Sequence, residues 1–151
     1  MKKVFGLLAA LVVAMLLLTS AQMMQSAEVR YTMLQGAMDM EGVTGTATVV
    51  TWDSGEHEVF LRVEGLTSGV YANHIHFNEA GDANCAAQNG DQIVGLTNLE
   101  PNAEGVAMAY TKLPADVMYP SGTTYLNVHS NDPEPVGASI TCGDISMAGA
   151  M

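Results

Sequence analysis

Residues 58–64, which read Glu-Val-Phe-Leu-Arg-Val-Glu, decide the fold class that this sequence predicts. Val59, Leu61 and Val63 alternate with two glutamates, a phenylalanine and an arginine, and this two-residue period is typical of a β-strand with one buried face. The preceding segment, residues 43–52, is rich in β-branched residues, and Gly65 begins a turn. This part of the chain therefore predicts two short strands and a turn.

Strand signals of this kind recur about every 10 to 15 residues, whereas helix signals are almost absent after the N-terminus. About seven or eight short strands, separated by turns that contain glycine and proline, predict an antiparallel β-sandwich or β-barrel. We therefore expect an all-β domain. The candidate strands are residues 28–34, 43–52, 58–64, 71–77, 106–113, 124–129 and 138–142.

The N-terminus has the pattern of an export signal. Lys2 and Lys3 precede an uncharged apolar run at residues 4–18, and small residues follow at positions 19–21. The apolar run is shorter than the about 20 residues that span a bilayer as a helix, so we favour a cleaved signal over the alternative of an uncleaved anchor. The mature protein should then be periplasmic or secreted, as in a bacterial envelope, with no stable membrane span.

The predicted organisation of the chain follows from this signal, with cleavage after Ala21. The units are a signal peptide at 1–21, a segment with the first strand at 22–40, the β-domain at 41–146 and a frayed tail at 147–151.

The charge balance excludes one class of partner. Sixteen acidic residues against five Lys and Arg give a formal net charge of −11 at pH 7. Loss of Lys2 and Lys3 with the signal leaves three basic residues against sixteen acidic ones, a net charge of −13. Such a surface repels phosphates, so we expect no nucleic-acid partner.

The two cysteines, Cys85 and Cys142, are 57 positions apart. Outside the cytosol they can oxidise, and the chain-entropy model gives about 4 kcal/mol for closing a loop of this length. A disulfide is the favoured interpretation. Two buried free thiols are the alternative in a reducing compartment.

Three histidines are the most informative residues for function. His74 and His76 stand two positions apart in a predicted strand, so their side chains point to the same face. His129 ends another predicted strand, and the three imidazoles converge if these two strands are neighbours. Imidazole ligands suit copper, zinc, nickel and iron. His57 lies outside this pattern, and we interpret it as a surface or core-edge histidine.

Residues 65–76, Gly-Leu-Thr-Ser-Gly-Val-Tyr-Ala-Asn-His-Ile-His, resemble the Cu/Zn superoxide dismutase family, in which a Gly-Leu-x-x-Gly turn leads into a His-x-His strand. Cys85 follows His76 by nine positions, as the loop cysteine does in that family, and Cys142-Gly143 matches its C-terminal Cys-Gly pair. The resemblance covers roughly residues 44–145.

This resemblance implies a superoxide dismutase-like Greek-key β-barrel and a Cys85–Cys142 disulfide that holds a loop to the barrel. It also implies a copper ion bound by His74, His76 and His129, with superoxide as the substrate or a copper donor or acceptor protein as the partner.

The sequence departs from this family at two functional positions. Asp91 stands where the family has the histidine that bridges copper and zinc, and Ser139 stands where it has the arginine that attracts superoxide. We therefore expect no zinc and at most weak dismutation, so that holding or transferring copper becomes the other candidate role. Asp91 could supply a carboxylate to copper or be a solvated loop residue.

A chordin-type (CHRD) domain also resembles this chain. The shared features are the Gly-Leu turn, the strand at 74–76 with its His-Ile-His sequence, and the late segment Tyr125-Leu126-Asn127-Val128-His129. This second resemblance implies a noncatalytic extracellular binding module in which the histidines are structural.

Overall fold

The computed structural model describes residues 25–36, 42–117, 122–130 and 137–147, and within them it contains eight β-strands and no α-helix. The predicted all-β fold is confirmed. The strands are β1 (Ala27–Gly36), β2 (Thr44–Trp52), β3 (His57–Glu64), β4 (Asn73–Phe77), β5 (Gln92–Gly95), β6 (Ala107–Leu113), β7 (Thr124–His129) and β8 (Ser139–Met147).

All strand pairs are antiparallel, and the hydrogen-bonded order is β5-β4-β7-β8-β1-β2-β3-β6. Strand β3 pairs with β6 and β4 pairs with β7, so the chain crosses between the two halves of the sheet as in a Greek key. Beyond β5, the Thr97 amide donates to Thr111 Oγ1 at 2.8 Å and the Thr97 hydroxyl donates to the Tyr110 carbonyl at 3.0 Å. These bonds draw the two end strands together, so the sheet curls toward a barrel.

The core lies on the inner face of this sheet. In β3 the predicted alternation is observed, since Val59, Leu61 and Val63 are at most 3% exposed while Phe60 and Arg62 face outward. The inner residues of the other strands close around them. On the outer face, His74 and His76 of β4 and His129 of β7 are only partly buried.

The structure differs from the sequence prediction in one additional strand and, among the strand boundaries, most clearly at β4 and β8. Strand β5 at residues 92–95 was not predicted, because only Ile93 and Val94 interrupt a polar stretch and only Val94 is buried. Tyr71 precedes β4 and instead forms an isolated bridge with Leu99. Strand β8 continues past Cys142 because it pairs with β7 along one edge and with β1 along the other.

The predicted signal peptide at 1–21 and most of the predicted tail at 147–151 lie outside the described residues. Within the described ranges, a search for helices long and apolar enough to cross a bilayer gives no candidate.

Candidate metal centre

Strands β4 and β7 bring the three predicted histidines to one outward face. In their ladder, His74 is opposite Asn127 and His76 is opposite Tyr125. The pairing continues to His129, whose amide donates to the Ala72 carbonyl at 2.9 Å. Because side chains alternate along a strand and paired residues point the same way, Tyr125 and Asn127 lie on the same face as the histidines.

The three imidazoles lie close together and are partly buried. One nitrogen from each of His74, His76 and His129 lies within 4.8 Å of the others. The ring centroids are 5.2 Å apart for His74 and His129, 5.6 Å for His76 and His129, and 5.9 Å for His74 and His76. The Nε2 atoms of His76 and His129 are 3.4 Å apart.

Backbone carbonyls determine the tautomers of two of these rings. His76 Nδ1 lies 3.3 Å from the Gly90 carbonyl, and His129 Nδ1 lies 3.2 Å from the Gly137 carbonyl. A carbonyl only accepts, so both Nδ1 atoms donate, and in a neutral ring the Nε2 atom then carries a lone pair. Two lone pairs therefore face each other at 3.4 Å, an arrangement that a cation between them would stabilise.

The site favours neutral rings. Partial burial, followed by the neighbouring His129 and His76 rings, lowers the pKa of His74 to about 4. Burial is also the main cause that lowers the pKa of His76 and of His129. Near neutral pH all three rings are therefore available as electron-pair donors.

A loop at residues 78–91 packs over the same face and supports His76. Gly90 lies so close to the His76 backbone that a Cβ atom added to the glycine would stand 2.7 Å from His76 Cβ. On the other side, Tyr125 stacks on His76 with ring centroids 4.9 Å apart and an interplanar angle of 9°. These contacts hold the His76 ring in one orientation.

The predicted disulfide Cys85–Cys142 is present, with a Cα–Cα distance of 5.8 Å, and it attaches this loop to β8. Gln88 of the loop accepts a hydrogen bond from Asn127 Nδ2 at 3.0 Å. The Cys85 amide donates to Asp144 Oδ1 at 2.6 Å. The loop that supplies the Gly90 carbonyl is thus fixed covalently and by hydrogen bonds.

The remaining sequence candidates lie apart from this cluster. Asp91 is exposed and is not among the groups that converge in the described part of the chain. His57 is buried rather than at the surface, with Nδ1 3.1 Å from Thr51 Oγ1. At Ser139, where the dismutase family has arginine, the hydroxyl donates to Asn127 Oδ1.

Sequence reasoning missed the residues that support the histidines. Tyr125 lies four positions before His129 in β7, so both side chains point to the same face, and the two-residue period of a strand is the available signal. The carbonyls of Gly90 and Gly137 left no signal in the sequence, because any residue type offers a carbonyl.

A comparison with family models identifies the kind of domain. The model of the CHRD domain matches residues 19–138, well over half of the 151 residues. This chain belongs to the CHRD domain family. The match contains His74, His76 and His129, whereas Cys142 lies beyond it. No curated protein matches this CHRD chain at a significant level.

The family match supports the second of the two sequence resemblances, that to an extracellular binding module. CHRD domains are typically extracellular, and a disulfide such as Cys85–Cys142 persists in an oxidising compartment. The comparisons give no support to the resemblance to Cu/Zn superoxide dismutase.

Proposed function

We propose that this CHRD protein is a noncatalytic, exported binding module whose three-histidine cluster holds a transition-metal ion, with copper as the first candidate. The observation that carries the proposal is the pair of opposed Nε2 atoms of His76 and His129, whose Nδ1 atoms both donate to backbone carbonyls. Metal-bound histidines commonly donate the other ring N–H to such an acceptor, which fixes the tautomer.

The spacing of the donor atoms supports this assignment. Two nitrogens at the usual ligand distance of about 2.0–2.1 Å from one ion, at a tetrahedral angle, are about 3.4 Å apart. The Nε2 atoms of His76 and His129 are 3.4 Å apart, and a His74 nitrogen lies within 4.8 Å of them. His74, His76 and His129 would therefore hold the ion.

The ligand types favour copper. The cluster offers three neutral imidazoles without a carboxylate, and both cysteine sulfurs are in the disulfide. Imidazole suits copper, zinc and nickel, and among divalent ions the affinity of such sites is usually highest for Cu²⁺. A bound copper ion would supply Lewis acidity and one-electron redox chemistry.

A structural role for the histidines is the second candidate, and specific contacts favour it. His76 stacks on Tyr125, and His76 and His129 already have hydrogen bonds to backbone carbonyls. Without a metal ion, however, the opposed Nε2 atoms can form a hydrogen bond only if one of the rings takes up a second proton. Burial opposes this charge, since it lowers the pKa of both rings.

Superoxide dismutation is not included in the proposal. Ser139 donates to Asn127 at the position where the dismutase family has its arginine, and Asp91 is exposed where the family has its bridging histidine. The strongly acidic chain also repels an anionic substrate. Superoxide decay measured with the copper-loaded protein tests this exclusion, and a rate well above that of the His129→Ala variant would contradict it.

The direct test is a competition titration of the purified protein with Cu(II), and with Cu(I) under reducing conditions. We expect one tight site per chain, at least about tenfold weaker in His74→Ala and in His129→Ala. The matched control is His57→Gln, which changes the histidine outside the cluster and should retain the site. Absence of a one-to-one site, or equal affinity in all variants, would leave the structural role as the better account. Parallel titrations with Zn²⁺ and Ni²⁺ test the choice of metal.

A further inference from the structure

The outer face of strands β1, β2, β3 and β6 carries an unusual concentration of apolar side chains. Seven large hydrophobic residues are exposed in the described part of the chain, and five of them lie on this one face. They are Val29, Met33, Phe60, Met108 and Tyr110. The outward positions of an antiparallel sheet are usually polar, so this pattern requires a reason.

The strand registers place these residues in rows across the sheet, with polar residues between some of them. Phe60 is opposite Tyr110, with ring centroids 5.1 Å apart, and Arg62 is opposite Met108. On the far side, Met33 is opposite Thr46, which itself is opposite Arg62. A shallow pocket of about 350 Å³ lies among these side chains. Aromatic residues, Met and Arg are the types that protein interfaces favour, and a contiguous exposed apolar patch marks such an interface.

We infer that this face, formed by β1, β2, β3 and β6, is a self-association surface on which two copies of the chain pack sheet against sheet. A two-fold axis through the face would bring the same residues of both copies together, as in most homodimers. Two stacked sheets about 10 Å apart would enclose Phe60 and Tyr110 from both copies.

The charges on the face agree with a second copy as the occupant. Arg62 is ion-paired with Glu64, and Lys112 is ion-paired with Glu56 at 2.8 Å. Glu58 also lies on this face, opposite Lys112. Two cations and three carboxylates give the face a charge near −1, although the chain has a net charge of −11. Two copies of this acidic chain repel each other least when their nearly neutral faces meet. A strongly charged partner would gain no electrostatic attraction from this face.

The area of this face determines how strongly two copies of the chain are expected to associate. Four strands about 4.8 Å apart, with rows of five residues at about 3.4 Å each, cover a flat area of roughly 300–400 Å². Both copies together would bury roughly 600–800 Å², which is the size of a weak interface. We expect a dissociation constant on the order of 100 µM.

Sedimentation of the exported protein from about 5 µM to about 1 mM tests this inference. We expect a monomer at the low end, a dimer at the high end, and stronger association when added salt screens the net charge. Met108→Gln changes a side chain that is 72% exposed and should weaken the dimer about tenfold without unfolding the domain. Phe60→Gln is a second variant with the same expected effect.

The matched control is Ile93→Gln, at an exposed apolar residue of β5 that lies outside this face. It should leave association unchanged, and thermal unfolding should show that all three variants remain folded. A protein that stays monomeric over the whole concentration range would overturn the inference. So would a dimer that the Met108 and Phe60 variants leave unchanged, because association would then use another surface.

Discussion

The Nε2 atoms of His76 and His129 lie 3.4 Å apart, although 53 positions separate these residues in the chain. The other ring nitrogen, Nδ1, donates a hydrogen bond to a backbone carbonyl in both residues: to Gly90 from His76 and to Gly137 from His129. With a nitrogen of His74 nearby, this contact forms a small group of electron-pair donors on the outer face of the sheet. This contact is the reason for proposing a metal ion in this CHRD domain rather than histidines that only pack.

Copper binding should stabilise the folded protein. A ligand that binds only the native state adds about 2.7 kcal/mol to the free energy of unfolding when its free concentration is 100 times Kd. For a domain of this size, that raises Tm by several degrees. Thermal unfolding with and without buffered copper measures the effect, and His129→Ala should abolish it. An equal rise in both proteins would show that copper binds elsewhere.

The metal-free protein should lose stability as the pH falls from about 6.5 toward 4. Burial and the neighbouring rings lower the pKa of His74 to about 4, whereas an unfolded histidine takes up its proton near pH 6.5. The unfolded state therefore binds more protons than the folded state in this pH range. The free energy of unfolding is highest above pH 6.5 and falls as the pH is lowered toward 4. Urea unfolding at a series of pH values measures the slope. In His74→Gln the free energy of unfolding should change less with pH. An identical pH profile in both proteins would show that His74 does not cause the loss of stability.

Gly90→Ala should destabilise the loop that supports His76. The added Cβ would stand 2.7 Å from His76 Cβ and 2.9 Å from the Phe77 amide, so the loop or the strand must shift. We expect a loss of about 1–3 kcal/mol in the free energy of unfolding, as for other overpacked sites, together with weaker copper binding. Denaturant unfolding and the competition titration measure the two effects.

Gly95→Ala is the control for this substitution. Its added Cβ would meet only His74 Cδ2, at 4.0 Å, which is ordinary contact. Both stability and copper affinity should change little. If Gly95→Ala and Gly90→Ala had the same effect, the close approach of the loop to His76 would not matter for the site.

Removal of the disulfide should affect both the fold and the cluster. The Cys85→Ser, Cys142→Ser double variant loses the link between the loop and β8, at an expected cost of about 2–4 kcal/mol. Because the same loop supplies the Gly90 carbonyl, copper affinity should fall as well. Calorimetry and titration of the variant measure these changes. Unchanged affinity in the destabilised variant would mean that the loop does not hold His76 in place.

Asp91→Asn should leave the affinity for copper within about twofold of that of the wild-type protein. The Asp91 side chain is exposed and lies outside the converging group of nitrogens. The same titration measures the change, and a loss of tenfold or more would show that this carboxylate reaches the ion after all.

Local sequence patterns were sufficient to predict much of this molecule. The two-residue alternation in β3 gave the correct buried face, and the spacing of His74 and His76 correctly placed both side chains on one face of β4. Such periodicity depends only on the geometry of a single strand. The two cysteines likewise indicated the observed disulfide once an oxidising compartment was assumed.

Features that depend on distant pairing could not be derived in this way. No local pattern states that β4 pairs with β7, which is the contact that brings His129 to the other two rings. Strand β5 has a single buried apolar residue, Val94, too little for a periodic signal. The position of Gly90 against His76 depends on the path of a long loop, which residue types alone do not specify.

X-ray absorption of the one-to-one copper complex tests the central claim most directly, because it counts the imidazole ligands. We expect three imidazole nitrogens at about 2.0 Å in the unchanged protein and two in His129→Ala. Retention of the three-imidazole signal in His129→Ala, or a spectrum of the unchanged protein with at most one imidazole, would contradict the assignment of His74, His76 and His129 as a metal centre.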